Sequence, residues 1–144
     1  MLIGEYQHTL DKKKRVAVPA RFRKELGKKI ILTRGFDKCL FMYPLKEWSR
    51  LSEKLKTLPI GKSDTRNLNR FMFSGAVPTD IDSLGRIVIP DFLKHFAGLK
   101  TKVVIIGVHE RAEVWDEKIW QAYRQGIAKN ADEVAEKLGD LGVF

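Results

Sequence analysis

An internal repeat constrains the fold of this chain more than any other feature. The segment Asp11–Pro19, with the sequence DKKKRVAVP, recurs 71 residues later as Asp82–Pro90, with the sequence DSLGRIVIP. Asp, Arg and Pro match in type and spacing, and both copies alternate apolar residues after the Arg. The same order of patterns follows each Pro: a short helix, two apolar runs and a segment that carries a Trp. The chain is therefore built from two copies of one structural unit.

Each copy predicts the same local structure. The period-two alternation that begins at Arg15 and at Arg86 is typical of a strand with one apolar face. Pro19 and Pro90 suit the first turn of a helix, where a backbone N–H is not needed. The apolar runs that follow predict a hairpin in each copy, with turns over Arg34–Asp37 and His109–Arg111. Further helices are predicted over Leu45–Leu58 and Lys118–Leu138, the second with a break near Gly126, and a connector over Pro59–Asp64.

Two such halves are expected to share one core. We place the division after Arg66, which gives residues 1–66 and residues 67–144. A unit of roughly 70 residues buries too little apolar surface to be stable alone. The sequence therefore predicts a mainly β protein of the α+β class, in which the halves pair with pseudo-two-fold symmetry in a barrel-like body and the helices pack outside.

Charge is distributed unevenly between the halves. The chain has 27 Lys and Arg against 18 Asp and Glu, a net charge of +9. Residues 1–66 carry 17 basic and 7 acidic residues, whereas residues 67–144 carry 10 and 11. A one-sided excess favours a surface for a polyanion such as DNA. A basic protein without a polyanion partner is the alternative that charge alone leaves open.

The Asp-x-x-x-Arg motif of the first copy is the main candidate site. Asp11 is predicted to position the loop, since an Asp in a tight turn accepts backbone N–H groups or pairs with an Arg four residues on. In one interpretation this clamp only holds the turn. Lys12, Lys13 and Lys14 favour the other, in which the loop binds DNA: Arg15 would contact a guanine by two hydrogen bonds while the lysines contact phosphates.

The second copy is less basic. Ser83, Leu84 and Gly85 replace the three lysines, so that Arg86 stands alone after Asp82. Arg86 either contacts DNA or pairs with Asp82, which would position this loop as Asp11 does the first.

Catalytic, metal and cofactor sites are not predicted. His8, His95 and His109 are isolated in sequence, and no phosphate-binding or nucleophile motif is present. Cys39 lies in an apolar run, which favours a buried thiol. No apolar run approaches the roughly 20 residues of a membrane span, and residues 1–5 do not resemble a signal peptide. We therefore expect a cytoplasmic protein that is not an enzyme, without a cofactor or small-molecule substrate.

These residues resemble the MraZ family, which is related to the AbrB- and SpoVT-type regulators. The resemblance runs along nearly the whole chain. It includes the opening segment 4–11, the segment Arg15–Arg23, the second motif at Asp82–Pro90, and the Glu-Val-Trp-Asp sequence that ends at Asp116. The family often has Gly before the first Arg, where this chain has Lys14, so the geometry of this turn stays open.

The resemblance implies a fold and a function. The fold would be a swapped-hairpin β-barrel made of two AbrB-like halves. The function would be sequence-specific transcriptional regulation, often repression, of the promoter of the division and cell-wall gene cluster, including the protein's own gene. A closed ring of identical subunits would bind direct repeats in double-stranded DNA, so the protein would associate with the nucleoid. Asp11–Arg15 match the family's first motif, and Asp82 and Arg86 match its second.

A second class of function stays open. The chain could be an antitoxin-like module that binds a partner protein and has only nonspecific affinity for DNA.

Overall fold

The computed structural model describes residues 1–143, which form a mixed α+β fold. The strands are β1 (Leu2–Thr9), β2 (Arg15–Ala17), β3 (Lys29–Arg34), β4 (Leu40–Pro44), β5 (Val77–Asp80), β6 (Arg86–Val88), β7 (Lys102–His109) and β8 (Arg111–Asp116). The helices are α1 (Ala20–Leu26), α2 (Leu45–Lys56), α3 (Ser63–Ser74), α4 (Asp91–Phe96) and α5 (Glu117–Leu138), followed by a 3-10 turn over Gly139–Leu141.

The repeat seen in the sequence is also a repeat of structure. The first copy runs β2–α1–β3–β4–α2, and the second runs β6–α4–β7–β8–α5. Both short helices begin directly after the repeat's Pro, with Pro19 and Pro90 as N-cap residues. The predicted hairpins are also confirmed: Asp37 lies in the first turn with φ of 64°, and His109, the last residue of β7, leads into the second turn with φ of 66°.

The strands form two antiparallel sheets, and both join the two halves. The larger sheet has the order β1-β7-β8-β4-β3-β5, so β1 of the first half pairs with β7 and β5 of the second half pairs with β3. The smaller sheet pairs β2 with β6. Within residues 1–143 the order of the larger sheet is open, with β1 and β5 at its edges. The predicted closed barrel is therefore not confirmed.

One core lies between the two sheets and draws on both halves, as predicted. The alternating residues Val16 and Val18 of the first copy and Ile87 and Ile89 of the second are at most 1% exposed. They pack in the same cluster as Phe22 of α1 and Leu93 of α4, and as residues of β3, β4, β7 and β8. Burying a side chain of this size contributes about 1.5–3 kcal/mol relative to its exposure. The motif strands are thus held by apolar side chains directly beside the two Arg residues.

A second apolar cluster covers the other face of the larger sheet. It contains Cys39, Phe41, Met72, Trp115 and Trp120, with α2, α3 and α5 packed against it. Trp115 and Trp120 are buried in this cluster, at 2% and 8% exposure. β4 is buried along its whole length because both of its faces are covered.

The structure differs from the sequence predictions in two helices. α5 continues through Gly126 without the predicted break, because a single Gly costs about 1 kcal/mol in a helix but does not interrupt its hydrogen bonds. α3 begins at Ser63, so it takes in the end of the predicted connector and runs through the division at Arg66, which stays a prediction. In the part of the chain described, no helix is long and apolar enough to cross a membrane.

Candidate nucleic-acid interface

The first motif is a tight turn between β1 and β2 that Asp11 organises. Its Oδ1 accepts the backbone N–H groups of Lys13 and Arg15 at 2.8 and 2.9 Å. Its Oδ2 accepts Nε of Arg15 at 2.8 Å. The backbone N–H of Lys14 donates to the Asp11 carbonyl at 3.0 Å, which closes the turn. One carboxylate therefore fixes both the backbone of the turn and the side chain of Arg15.

The second motif has the same geometry. Oδ1 of Asp82 accepts the backbone N–H groups of Leu84 and Arg86 at 2.9 and 2.8 Å, and Oδ2 accepts Nε of Arg86 at 2.9 Å. Both Arg side chains are 30% exposed. The Asp–Arg clamp, left open by the sequence, is thus present in both copies.

The clamp leaves part of each guanidinium available. Among residues 1–143, Nε is the only guanidinium nitrogen of Arg15, and likewise of Arg86, that has a hydrogen-bond partner. The Nη1 and Nη2 groups, which form the fork that matches two acceptors on a guanine, keep their donors. Holding the turn and contacting a ligand are therefore compatible roles for the same Arg.

Both turns also have a residue in the left-handed backbone conformation at the same position. Lys14 has φ of 61° and Gly85 has φ of 76°. Lys14 thus adopts the backbone geometry that a Gly would take there, although a residue with a Cβ pays a conformational cost in this region. Lys14 therefore adopts in the first turn the left-handed backbone conformation that Gly85 adopts in the second.

Hydrogen bonding keeps both Asp residues charged. The hydrogen bond from the backbone N–H of Arg15 is the largest cause of the lowered pKa of Asp11. Desolvation, the next largest cause, raises this pKa, but the side-chain bond from Arg15 and the backbone N–H of Lys13 also lower it. The backbone N–H of Arg86 lowers the pKa of Asp82 in the same way. Both carboxylates are therefore ionised near neutral pH, as the clamp requires.

The pairing of β2 with β6 ties each turn to the opposite half. Val18 donates its backbone N–H to the carbonyl of Gly85 at 2.8 Å, and Ile89 donates to the carbonyl of Lys14 at 2.8 Å. Because the strands are antiparallel, the two turns lie at opposite ends of one short ribbon. The sequence did not predict this pairing, since no local pattern specifies which strand β2 will meet.

The three lysines of the first turn differ in environment. Lys12 and Lys13 are exposed, whereas Lys14 is partly buried. Nζ of Lys14 lies 3.0 Å from Oδ2 of Asp91, at the start of α4. Of the three lysines in the first turn, Lys12 and Lys13 are therefore the most open to solvent, whereas Lys14 is already paired with Asp91 of the second half.

Two cations of the second half, which the sequence analysis did not single out, lie beside the first turn. Lys94 of α4 and Lys100 line a shallow cleft together with Asp11 and Lys12. Lys94 occupies the position in the second copy of the repeat that Arg23 occupies in the first. The basic surface at the first turn is thus wider than the motif itself.

Other chemistry finds little basis in the described residues. They contain no group of three or more His, Cys, Asp and Glu residues that could hold a metal ion. Cys39 is fully buried, and burial raises its pKa, with the charge of Glu113 as a further cause. A buried, protonated thiol is a poor nucleophile.

Fold and site together define a class: a duplicated α+β protein in which each half presents an Asp-anchored turn with a partly exposed Arg. The chain belongs to the MraZ family. The family described as "MraZ protein, putative antitoxin-like" matches it twice, over residues 1–71 and 72–140.

Full-length relatives support this membership. The "Transcriptional regulator MraZ" of Thermoanaerobacter sp. (strain X514) is 47% identical over 143 residues, which cover 99% of this chain and all of the relative. The proteins of the same name from Acetivibrio thermocellus and Clostridium beijerinckii are both 48% identical with the same coverage.

Proposed function

We propose that this protein is a sequence-specific, DNA-binding transcriptional regulator. The observation that carries the proposal is the pair of Asp-anchored turns, which hold Arg15 and Arg86 by Nε alone and leave the Nη donors open. The relatives named transcriptional regulators add support, as they match the chain over its full length.

The first turn is the principal contact. Arg15 donates to a guanine edge in the major groove, because its planar fork fits the O6 and N7 acceptors there. Lys12 and Lys13 contact phosphates and give affinity that falls with salt. Lys14 adds positive charge from its position beside Asp91. Asp11 contacts no DNA in this arrangement and acts by orienting Arg15.

Arg86 makes the corresponding contact from the second turn. Support comes from the matching distances at Asp82 and the equal exposure of the two Arg side chains. The neutral residues of this turn leave it with less phosphate affinity of its own. We therefore expect Arg86 to contribute less than Arg15 to the affinity for DNA.

The protein acts as a closed ring on direct repeats in the DNA. One Arg–guanine contact discriminates by only about 1–3 kcal/mol, so several linked turns are needed for a specific site. An exposed apolar face on α5 supports self-association: Tyr123, Ile127, Val134 and Leu138 are 40–49% exposed. The exchange of β1 and β5 between the halves supports the swapped-hairpin arrangement within each subunit.

The target that the family resemblance favours is the promoter of the division and cell-wall gene cluster, including the protein's own gene. We propose repression there, in the cytoplasm and on the nucleoid.

The test is a titration of a labelled DNA fragment from upstream of the protein's own gene, at several salt concentrations. Wild type is compared with Arg15→Ala and with Lys24→Ala, a matched control that removes a cation from the exposed side of α1. We expect tight binding with a steep salt slope that Arg15→Ala loses and Lys24→Ala keeps. Equal binding by wild type and Arg15→Ala would contradict the proposal.

The antitoxin-like alternative has one structural observation in its favour, namely the same apolar face of α5. It predicts a stable hetero-complex in a pull-down and no retention of promoter DNA at moderate salt. Specific DNA binding that is lost with Arg15→Ala would exclude it as the main function.

A further inference from the structure

The second turn carries no cation between Asp82 and Arg86, yet a cation of the first half lies against it. Arg23 projects from α1 to the backbone of Gly85. A Cβ placed on Gly85 would overlap the Cζ, Nε and Nη2 atoms of the Arg23 guanidinium. The turn therefore accommodates this guanidinium because Gly85 has no side chain.

Two hydrogen bonds hold Arg23 in this position. Its Nε donates to the carbonyl of Val18 at 3.2 Å, and the backbone N–H of Val18 donates to the carbonyl of Gly85 at 2.8 Å. Phe22, at 2% exposure, and Leu26, also at 2%, anchor α1 in the core. The base of the Arg23 side chain is thus fixed relative to the second turn.

The charge at the end of this side chain remains available. In the described part of the chain, the hydrogen bond to Val18 is the only one that the side chain of Arg23 donates. Arg23 is exposed, and it belongs to no ion pair among these residues. Burial, and then the charge of Arg23, lower the pKa of nearby His8, so this neighbour stays neutral and adds no repulsion near pH 7.

We propose that Arg23 is a DNA-phosphate contact of the second turn, supplied by the first half in place of the lysines that this turn lacks. The inference rests on the proposed DNA-binding function. It assigns Arg86 the base contact and Arg23 the neighbouring phosphate, so that the second contact surface is completed across the two halves. Gly85 is required for this arrangement, because any side chain there would displace the guanidinium of Arg23.

The repeat provides an internal comparison. Lys94, the counterpart of Arg23, lies beside the first turn with Asp11 and Lys12. Each turn therefore has a cation from the opposite half next to it. At the first turn this cation joins three lysines, whereas at the second turn Arg23 is the added charge.

The experiment compares Arg23→Gln with Lys24→Gln in the salt titration on promoter DNA. Gln keeps a nitrogen at the position of Nε for the Val18 carbonyl and removes the positive charge. Lys24→Gln removes an exposed charge from the same helix and serves as the matched control. Arg23→Gln, which loses one phosphate contact, should make the negative slope of log affinity against log salt shallower by about 0.9 for each subunit engaged. Lys24→Gln should leave this slope unchanged.

Further variants separate charge from structure. Arg23→Lys should recover most of the salt slope, and thermal unfolding should show that Arg23→Gln remains folded. If Arg23→Gln binds like Lys24→Gln, the inference is wrong while the DNA-binding function stands. If only Arg23→Ala loses affinity and Arg23→Gln does not, the hydrogen bond to Val18 matters and the charge does not, which also overturns the inference. A wild type without specific DNA binding would overturn both proposals.

Discussion

Gly85→Ala tests the geometry of the second turn through its stability. Gly85 has φ of 76°, where an L-residue with a Cβ costs about 1–2 kcal/mol. The reduced freedom of the unfolded chain returns about 0.4–1 kcal/mol. The new Cβ also displaces the guanidinium of Arg23 and so breaks its bond to Val18, which adds about 0.5 kcal/mol for a partly exposed contact. We expect a net loss of about 1 kcal/mol.

The assay is thermal and urea unfolding at one fixed protein concentration, since self-association would otherwise shift the midpoint. A loss of this size lowers Tm by about 2–4 °C for a chain of this length. Lys14→Ala is the matched control at the equivalent position, because Lys14 already has a Cβ at φ of 61°. It removes only the ion pair with Asp91, worth less than about 1 kcal/mol at such exposure. If Gly85→Ala is as stable as wild type, the left-handed turn or its contact with Arg23 has been misassigned.

Three further predictions concern acid stability, the core and the thiol. Hydrogen bonds lower the pKa of Asp11 and of Asp82 from the ordinary 3.8. The two ionised carboxylates therefore stabilise the fold fully above pH 3.8, and this stabilisation is lost as the pH falls toward their lower pKa in the folded state. Asp82→Asn should therefore show a weaker pH dependence of unfolding below pH 3.8 than wild type, and an unchanged acid titration followed by circular dichroism would contradict this. Leu93→Ala should lower the free energy of unfolding in urea by about 2–5 kcal/mol because Leu93 is fully buried. Phe92→Ala should change this free energy little, since Phe92 is 45% exposed. Similar losses for both variants would show that α4 packs by another face. Burial raises the pKa of the Cys39 thiol, so a thiol reagent should react only as the protein unfolds in urea, and rapid labelling of the native protein would refute the buried environment.

The repeat allowed much of the local structure to be predicted. Matching Pro residues located α1 and α4, and matching apolar runs located both hairpins, because these signals depend on neighbouring residues in the chain. α3 was missed, since its segment carries polar residues and a short apolar stretch rather than a long periodic pattern. The break predicted near Gly126 was wrong because flanking residues such as Gln125, Ala128 and Lys129 favour helix and outweigh the cost of one Gly.

The residues of the candidate site could be predicted from the sequence, but the contacts that bring the two halves together at the site could not. The spacing of Asp11 and Arg15 allowed a clamp, and the structure shows the specific bonds that form it. The contact of Arg23 with Gly85 depends on the antiparallel pairing of β2 with β6, which joins residues far apart in the chain. No period or local propensity encodes such a pairing, although the equivalence of Arg23 and Lys94 in the repeat points to a shared role.

Contact between Arg15 and a guanine can be tested directly with modified DNA. Promoter DNA is compared with the same DNA in which 7-deazaguanine, which lacks the N7 acceptor, replaces single guanines of the repeats, and each is titrated with wild type and with Arg15→Ala. If Arg15 contacts a guanine, one such replacement weakens DNA binding by wild type by up to about 1–3 kcal/mol. The same replacement weakens binding by Arg15→Ala no further, since the two changes remove the same contact. Equal losses for both proteins at every guanine would show that Arg15 does not contact these bases, and the assignment of the Asp-anchored turn as a DNA-reading element would be wrong.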